Sequence, residues 1–272
     1  MKHSLLFVIP LVLLAVSPAR AQQTSEAAPP ESSAAEPSQT TMTPLQAAEL
    51  KADILMARKE FVDAIRAYDE ILKQAPQNAE VLNKVGVAYQ QLIALREAEH
   101  YYKKAMHADK HFVSAINNAG TVEYERKHYG KAIGYYKKAL ELKQDQATIY
   151  SNLAYAYVED KKYVEALDAF RNAIAIDPTI FDRKGGNGTV VQQRTTTDPG
   201  LFAFLVAKSY ALVGDAEHSA HYLKIARDDG YREFLSAEHD PAFAKVIKDP
   251  RVRDVFTVTP SYATDHQKPV TN

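Results

Sequence analysis

The five residues YYKKA, from Tyr101 to Ala105, return unchanged from Tyr135 to Ala139, which is 34 residues later. The equivalent positions another 34 residues later read AFRNA, with Phe170 in place of the second tyrosine. The positions that begin 34 residues before Tyr101 read AYDEI, with Tyr68 there. The same period therefore holds through four consecutive units. Internal repetition at this length predicts a chain built from stacked copies of one supersecondary unit.

Each copy contains two apolar stripes with helical spacing, which predicts a pair of helices per unit. In the second stripe, Ala132, Tyr136 and Ala139 stand at i, i+4 and i+7, so they share one helix face. The lysines of YYKKA fall on the opposite face, where we expect a solvated, charged surface made of Lys103, Lys104, Lys137 and Lys138. Small residues of the first stripe indicate where the two helices approach closely: Gly86, Gly120 and Ala154.

The pattern resembles the tetratricopeptide repeat, whose unit carries a small residue, an aromatic residue three positions later, a second small residue and a closing proline. Gly86 and Tyr89 match the pattern in the second unit, and Pro76 and Pro178 close the first and fourth units. The resemblance covers residues 44–180 as four units. It implies an all-α fold, a right-handed α-solenoid of helix-turn-helix units.

The sequence departs from this pattern at a few positions. Glu123 replaces the aromatic residue of the third unit, and Ala48 and Lys51 stand where the first unit would carry large apolar residues. Lys110 and Gln144 take the place of the closing proline. Because Glu123 is internal to the array, we expect irregular packing around it.

The first 21 residues, MKHSLLFVIPLVLLAVSPARA, have the pattern of a cleaved signal peptide, with a basic start and a small-x-small site at Ala19 and Ala21. The apolar run from Leu5 to Val16 is shorter than the ~18–20 residues that a spanning helix needs. We therefore expect an exported bacterial protein, periplasmic or secreted, with no membrane span in the mature chain. Residues 22–43, rich in Pro, Ser, Ala and Glu, predict a disordered linker.

The period breaks after the fourth unit. Residues 181–199 predict an insert, either a loop or a hairpin, because a GGNG turn precedes the β-branched run TVVQQRTTT. A degenerate fifth unit is predicted at 200–230, with family positions at Ala207, Tyr210, Ser219, Leu223 and Ala226. Two Asp-Pro pairs then predict a helical cap at 231–256, and residues 257–272 a flexible tail.

Composition and motifs argue against several classes of function. The chain has 33 Lys and Arg against 34 Asp and Glu, so no positive balance favours nucleic acid as a partner. Without any cysteine, neither a disulfide framework nor a thiol nucleophile is available. The GGNG turn lacks the GK[ST] of a phosphate loop, and no G-x-S-x-G motif is present. We expect no cofactor and no catalysis.

One pair of histidines keeps an enzymatic alternative open. His218 and His221 stand at i, i+3 on a predicted helix, with Glu217 beside them. A third ligand on the same face is not evident, and two histidines on a helix are more often part of a solvated surface than of a metal site. The alternative interpretation is therefore an unrecognised metal-dependent enzyme.

The first helices of tetratricopeptide units line the concave surface of the solenoid, and the resemblance places the candidate binding residues there. Asn118 and Asn152 occupy equivalent positions, where some members of the family carry an asparagine that hydrogen-bonds the backbone of an extended peptide. The other interpretation is that both amides satisfy local backbone groups. The predicted peptide-binding residues are Asn83, Asn117, Asn118, Asn152 and Tyr155.

The function predicted from these patterns is a non-enzymatic scaffold that binds a segment of a partner protein on its concave face. Some tetratricopeptide proteins bind chaperone tails through a carboxylate clamp of lysine, asparagine and arginine side chains on two first helices. Here the corresponding places hold Asn83 and Val87, or Asn117 and Thr121, so the clamp is absent. A second hypothesis moves the contact to the insert, as a flap or an edge strand for another chain, formed by Phe181, Val190, Val191 and Arg194.

Overall fold

The computed structural model describes residues 42–182 and 196–258, and within these ranges all regular secondary structure is helical, without a strand. The all-α fold is thereby confirmed. The elements are α1 (Pro44–Ala57), α2 (Phe61–Gln74), α3 (Ala79–Gln91), α4 (Leu95–Ala108), α5 (Val113–Glu125), α6 (Tyr129–Leu142), α7 (Ala147–Glu159), α8 (Tyr163–Ile176), α9 (Pro199–Val213), α10 (Ala216–Asp228), α11 (Phe234–Ala237), a 3₁₀ helix (Pro241–Lys245) and α12 (Pro250–Thr257).

Several predicted segments lie outside the described residues. They are the signal peptide at 1–21, nearly all of the linker at 22–43, residues 183–195 of the insert and residues 259–272 of the tail. The predicted contact residues Val190, Val191 and Arg194 belong to this part of the chain.

Within the described ranges, helices α1 to α10 form five pairs that stack in chain order, from α1 with α2 to α9 with α10. Each pair is joined by a short turn that contains one residue with left-handed backbone. The φ angles are 62° at Lys59, 60° at Ile93, 62° at Lys127 and 58° at Lys161, and Gly214 takes this place in the fifth pair with a φ of 89°. The repeat in the sequence is thus also a repeat in backbone geometry.

The close approach predicted within a pair occurs where a glycine faces an aromatic ring. A Cβ atom on Gly86 would lie 2.6 Å from Cε1 of Tyr102, and one on Gly120 would lie 2.8 Å from Cε1 of Tyr136. Both rings are fully buried. The hydroxyl of Tyr102 donates a 2.7 Å hydrogen bond to Oε1 of Gln90, which fixes the ring against the glycine.

Glu123 occupies the place of an aromatic residue, and α5 continues without interruption to Glu125, so the substitution changes the packing around the helix and not its backbone. The side chain is only 5% exposed, and its carboxylate lies 2.7 Å from Nδ1 of His128 and 3.8 Å from Arg126. Arg126 also pairs with Glu99 of α4. A local cluster of charges therefore replaces the ring.

The C-terminal end of the stack is covered by the predicted cap. Asp240 and Asp249 begin its second and third segments, where their carboxylates accept hydrogen bonds from the backbone N–H groups of Ala242 and Arg251. The segment after Asp240 is a 3₁₀ helix. The cap packs on α9 and α10 and buries the apolar residues Phe234, Phe243, Val246, Val252 and Val255.

Candidate partner-binding surface

The first helices of the pairs place a row of carboxamides side by side, which we call the asparagine ladder (Asn83, Asn118, Asn117 and Asn152). Nδ2 of Asn118 on α5 donates to Oδ1 of Asn83 on α3 at 3.0 Å. Nδ2 of Asn152 on α7 donates to Oδ1 of Asn117 on α5 at 2.8 Å. Asn117 and Asn118 are joined by a third bond of 3.2 Å. The ladder thus crosses three consecutive repeats.

The ladder uses part of the hydrogen-bonding capacity of its amides and leaves part of it available. Asn117, Asn118 and Asn152 are only 3%, 9% and 4% exposed, and Asn83 is half-buried. Each carboxamide offers two N–H donors and one carbonyl acceptor. No described residue donates to Oδ1 of Asn152, so this acceptor remains available at the end of the ladder.

An ionic cluster continues the surface toward α1. Nζ of Lys84 on α3 lies 2.7 Å from Glu49 and 3.0 Å from Asp53, both on α1, and 3.4 Å from Glu80. Burial opposes the charge of Lys84, but its hydrogen bonds to Glu49 and Asp53 outweigh that cost and raise its pKa above the usual value. The cluster therefore keeps its ammonium group protonated.

An aromatic contact lies on the same face of α7 as the end of the ladder. Tyr155, three residues after Asn152, stacks on Phe202 of α9 with ring centroids 4.4 Å apart and an interplanar angle of 23°. Both rings are partly buried against the core. The predicted site residues therefore fall into two groups, the linked asparagines and this stacked tyrosine.

Sequence reasoning missed other polar pairs that join the first helices of neighbouring units. Gln90 donates to Glu125 across α3 and α5 at 2.7 Å, and Glu49 meets Lys84 across α1 and α3. Every such pair is separated by 35 residues, one more than the period. A search for polar pairs at this separation would have found them.

Two residues of the enzymatic hypothesis contact charged side chains, since Glu217 pairs with Arg251 at 3.2 Å and His218 has two acidic neighbours. His218 lies between two carboxylates, with Nδ1 at 2.6 Å from Asp215 and Nε2 at 3.0 Å from Asp182. Within residues 42–182 and 196–258, no group of three or more His, Cys, Asp and Glu side chains is arranged to hold a metal ion.

Two further observations concern the alternatives. Phe181, the described member of the proposed insert contact, packs edge-on against Phe170 with centroids 5.3 Å apart, so this ring is partly buried against the core. In the described part of the chain, no helix combines the length and the apolar character needed to cross a membrane.

Models of the tetratricopeptide repeat match the sequence in three stretches. A model described as TPR repeat matches residues 120–161, and two described as tetratricopeptide repeat match residues 42–79 and 147–180. Together with the stacked pairs, these matches define an α-solenoid that contains tetratricopeptide repeats.

Solved structures with a similar fold were also found. A chain from a functional characterisation of Pseudomonas aeruginosa PilF is 17% identical, with a TM-score of 0.52, and the match covers 78% of this chain and 87% of that one. A crystal structure of MamA is 22% identical, with a TM-score of 0.48 and coverage of 67% and 95%. YrrB, a TPR protein with an unusual peptide-binding site, is 19% identical, with a TM-score of 0.47 and coverage of 70% and 90%. At 17% identity, the match to the PilF chain establishes likeness of fold alone.

Among curated proteins, none matches the sequence.

Proposed function

We propose that the chain is a non-enzymatic interaction scaffold whose concave face, along the asparagine ladder, holds an extended segment of a partner protein. Stacked helical repeats form extended concave surfaces that are suited to this kind of contact. The segment would lie across the first helices and take hydrogen bonds from the amides that the ladder leaves available.

The observation that carries this proposal is the continuity of the ladder from α3 to α7. Buried side-chain amides are costly unless they are bonded, and here each one is held by its neighbour in a fixed orientation. A row of oriented amides can bond the backbone of an extended chain without reading its side chains. The surface therefore fits a protein segment better than a small molecule.

The test is affinity capture from the envelope fraction of the source cells with residues 22–272, followed by a binding titration with the captured partner. Ser114 is exposed and lies four residues before Asn118, on the same face of α5, so Ser114→Trp blocks the groove without removing a member of the ladder. We expect this variant to lose the partner. Lys138→Trp places the same ring on the exposed side of α6 and should leave binding unchanged.

A second comparison tests the amides themselves. Asn152→Ala removes the terminal carboxamide, whereas Asn172→Ala removes an exposed amide from α8. Binding weakened by the first substitution alone supports the ladder as the contact. A partner that both Ser114→Trp and Asn152→Ala retain with unchanged affinity would contradict the proposal.

The proposed location is the periplasm or the exterior, because the sequence begins with the pattern of a cleaved signal. Cell fractionation with N-terminal sequencing of the isolated protein tests this. A mature protein that begins near Gln22 supports export, and a cytoplasmic protein that retains Met1 contradicts it.

A further inference from the structure

Charge is distributed unevenly between the two surfaces of the solenoid. The whole chain is almost neutral, with a formal charge of −1. The second helices nevertheless carry exposed lysine pairs, Lys103 with Lys104 on α4 and Lys137 with Lys138 on α6. The second helices carry acidic residues as well, but on the first helices α1, α3, α5 and α7 the acidic residues outnumber the lysines. They are Glu49, Asp53, Glu80, Glu123, Glu125 and Glu159, against Lys51 and Lys84.

Several of these acidic residues share a helix face with the asparagine ladder or form ion pairs with Lys84. Glu80 lies one turn before Lys84 on α3, and Glu159 lies two turns after Asn152 on α7. On α1, Glu49 and Asp53 both point to Lys84, because each forms an ion pair with its ammonium group.

The cations of this surface do not balance its acids. Lys84 is shared by Glu49, Asp53 and Glu80, so one positive charge faces three negative ones. The carboxylate of Glu159 accepts hydrogen bonds from the backbone N–H and the hydroxyl of Thr197 and from the hydroxyl of Tyr129, and all of these donors are neutral. A concave surface with excess charge of one sign focuses its field on a bound segment.

The ladder supplies a second observation that points to a ligand. Asn152 is 96% buried, and its Nδ2 group is bonded to Asn117, but its Oδ1 atom has no partner among the described residues. Asn152 lies on the face of α7 that also carries Glu159 and Tyr155. An acceptor held in this way fits an N–H donor from a bound chain.

We infer that the segment bound in this groove is basic. It is an extended peptide whose lysine or arginine side chains reach the carboxylate of Glu159 and the carboxylates around Lys84. This inference rests on the proposed function and specifies the class of partner. The backbone of the peptide donates to the ladder, while its cations offset the excess negative charge at the two ends.

The experiment uses labelled peptides of about 12 residues, about 40 Å long when extended, and fluorescence anisotropy with residues 22–272. One peptide set carries lysine and arginine at varied positions in a neutral serine and alanine background. The matched sets carry glutamate or glutamine at the same positions. We expect the basic set to bind, and its binding to weaken as ionic strength rises from about 0.01 M to about 0.15 M.

Two charge reversals provide the matched pair of variants. Glu80 and Glu70 have side chains that are 65% and 69% exposed, and each pairs with a lysine of its own helix, but only Glu80 lies in the groove. Glu80→Lys should weaken binding of the basic peptides about tenfold or more, and Glu70→Lys should leave it unchanged.

The outcomes separate this inference from the function on which it rests. If glutamate or glutamine peptides bind as well as the basic ones and Ser114→Trp abolishes their binding, the groove function stands and the inference of a basic partner is wrong. Equal effects of Glu80→Lys and Glu70→Lys overturn it as well. If no set binds, or if Ser114→Trp has no effect on binding, both the inference and the groove function fail.

Discussion

Asn152 on α7 donates a 2.8 Å hydrogen bond to Asn117 on α5, a residue that stands 35 positions earlier in a chain whose period is 34. The same offset joins Asn118 to Asn83 and Lys84 to Glu49. Each contact therefore connects a position to the one that follows its equivalent in the next unit. This displacement agrees with the small rotation that relates consecutive units of a solenoid.

The asparagine ladder should behave as a coupled unit in stability measurements. Asn117→Ala removes a carboxamide that bonds both Asn118 and Asn152, so it should lower the free energy of unfolding by about 1–3 kcal/mol and by more than Asn152→Ala does. A double-mutant cycle by urea denaturation measures the coupling, which we expect to exceed about 0.5 kcal/mol. Strictly additive effects would show that the hydrogen bond between Asn117 and Asn152 contributes nothing to the free energy of unfolding.

The contact between Gly86 and Tyr102 predicts that a single methyl group destabilises the second unit. Gly86→Ala places a Cβ atom 2.6 Å from a ring that is held by Gln90, so the free energy of unfolding should fall by about 1–3 kcal/mol. Gly134→Ala on α6 is the control, because a Cβ atom there meets nothing within 4 Å. It should be neutral or stabilise by up to about 1 kcal/mol. Thermal unfolding of both variants measures this difference, and equal melting temperatures for Gly86→Ala and Gly134→Ala would contradict the prediction.

Ile93 is a strained residue in the turn between α3 and α4. It has a φ of 60° and is 79% exposed, so its β-branched side chain gains little packing in return for an unfavourable backbone. Ile93→Asn should raise the stability by about 1 kcal/mol, since asparagine tolerates this conformation. Leu92→Asn, at the neighbouring residue with a φ of −83°, should give no such gain. Equal melting temperatures for Ile93→Asn and the wild type would contradict the prediction.

His218 should make stability depend on pH. Burial opposes its charged form, but the hydrogen bond to Asp215 and the charges of Asp215 and Asp182 outweigh this and raise the pKa of His218 above 6.5. Because the folded state binds the proton more tightly than the unfolded state, the stabilisation is fully present below pH 6.5 and is lost as pH rises through the folded-state pKa.

The measurement for His218 is denaturant unfolding between about pH 5 and about pH 8, with an NMR titration of the imidazole. His218→Gln should flatten the dependence over this range. An imidazole that titrates below 6.5 in the folded protein would reverse the predicted sign.

Arg126 should matter more than an exposed arginine because it serves two shielded carboxylates. Glu99 and Glu123 have side chains that are 18% and 5% exposed. Arg126→Met should cost about 1–3 kcal/mol, whereas Arg171→Met removes only an exposed pair with Asp168 and should cost less than about 0.5 kcal/mol. Equal losses for the two variants in urea denaturation would mean that burial of the carboxylates is irrelevant.

A second substitution tests the role of Glu123. Neighbouring units carry Tyr89 and Tyr157 at the equivalent place. Glu123→Tyr removes the buried charge, so combining it with Arg126→Met should recover part of the lost stability. A double variant that is less stable than Arg126→Met alone would show that the site does not accept the ring.

The sequence by itself determined the helical pairs, their order and their core positions. Helical spacing places Ala132, Tyr136 and Ala139 on one face, and the repetition of that face at a fixed interval leaves stacking as the way to bury it. All three residues are fully buried, and the lysines of YYKKA are exposed, as the pattern predicts. These features follow from local periodicity, which a single sequence displays directly.

Only the tertiary structure decided which polar side chains meet. Asn118 and Asn152 are equivalent in the sequence, yet each bonds the asparagine before its equivalent in the preceding unit, and not the other. The 34-residue period identifies equivalent positions in the units. Which residues of two units touch depends on how far one helix pair is rotated and shifted relative to the next. That displacement is set by packing between side chains from separate units, and it brought the ladder, the Lys84 cluster and the shielded Glu123 together.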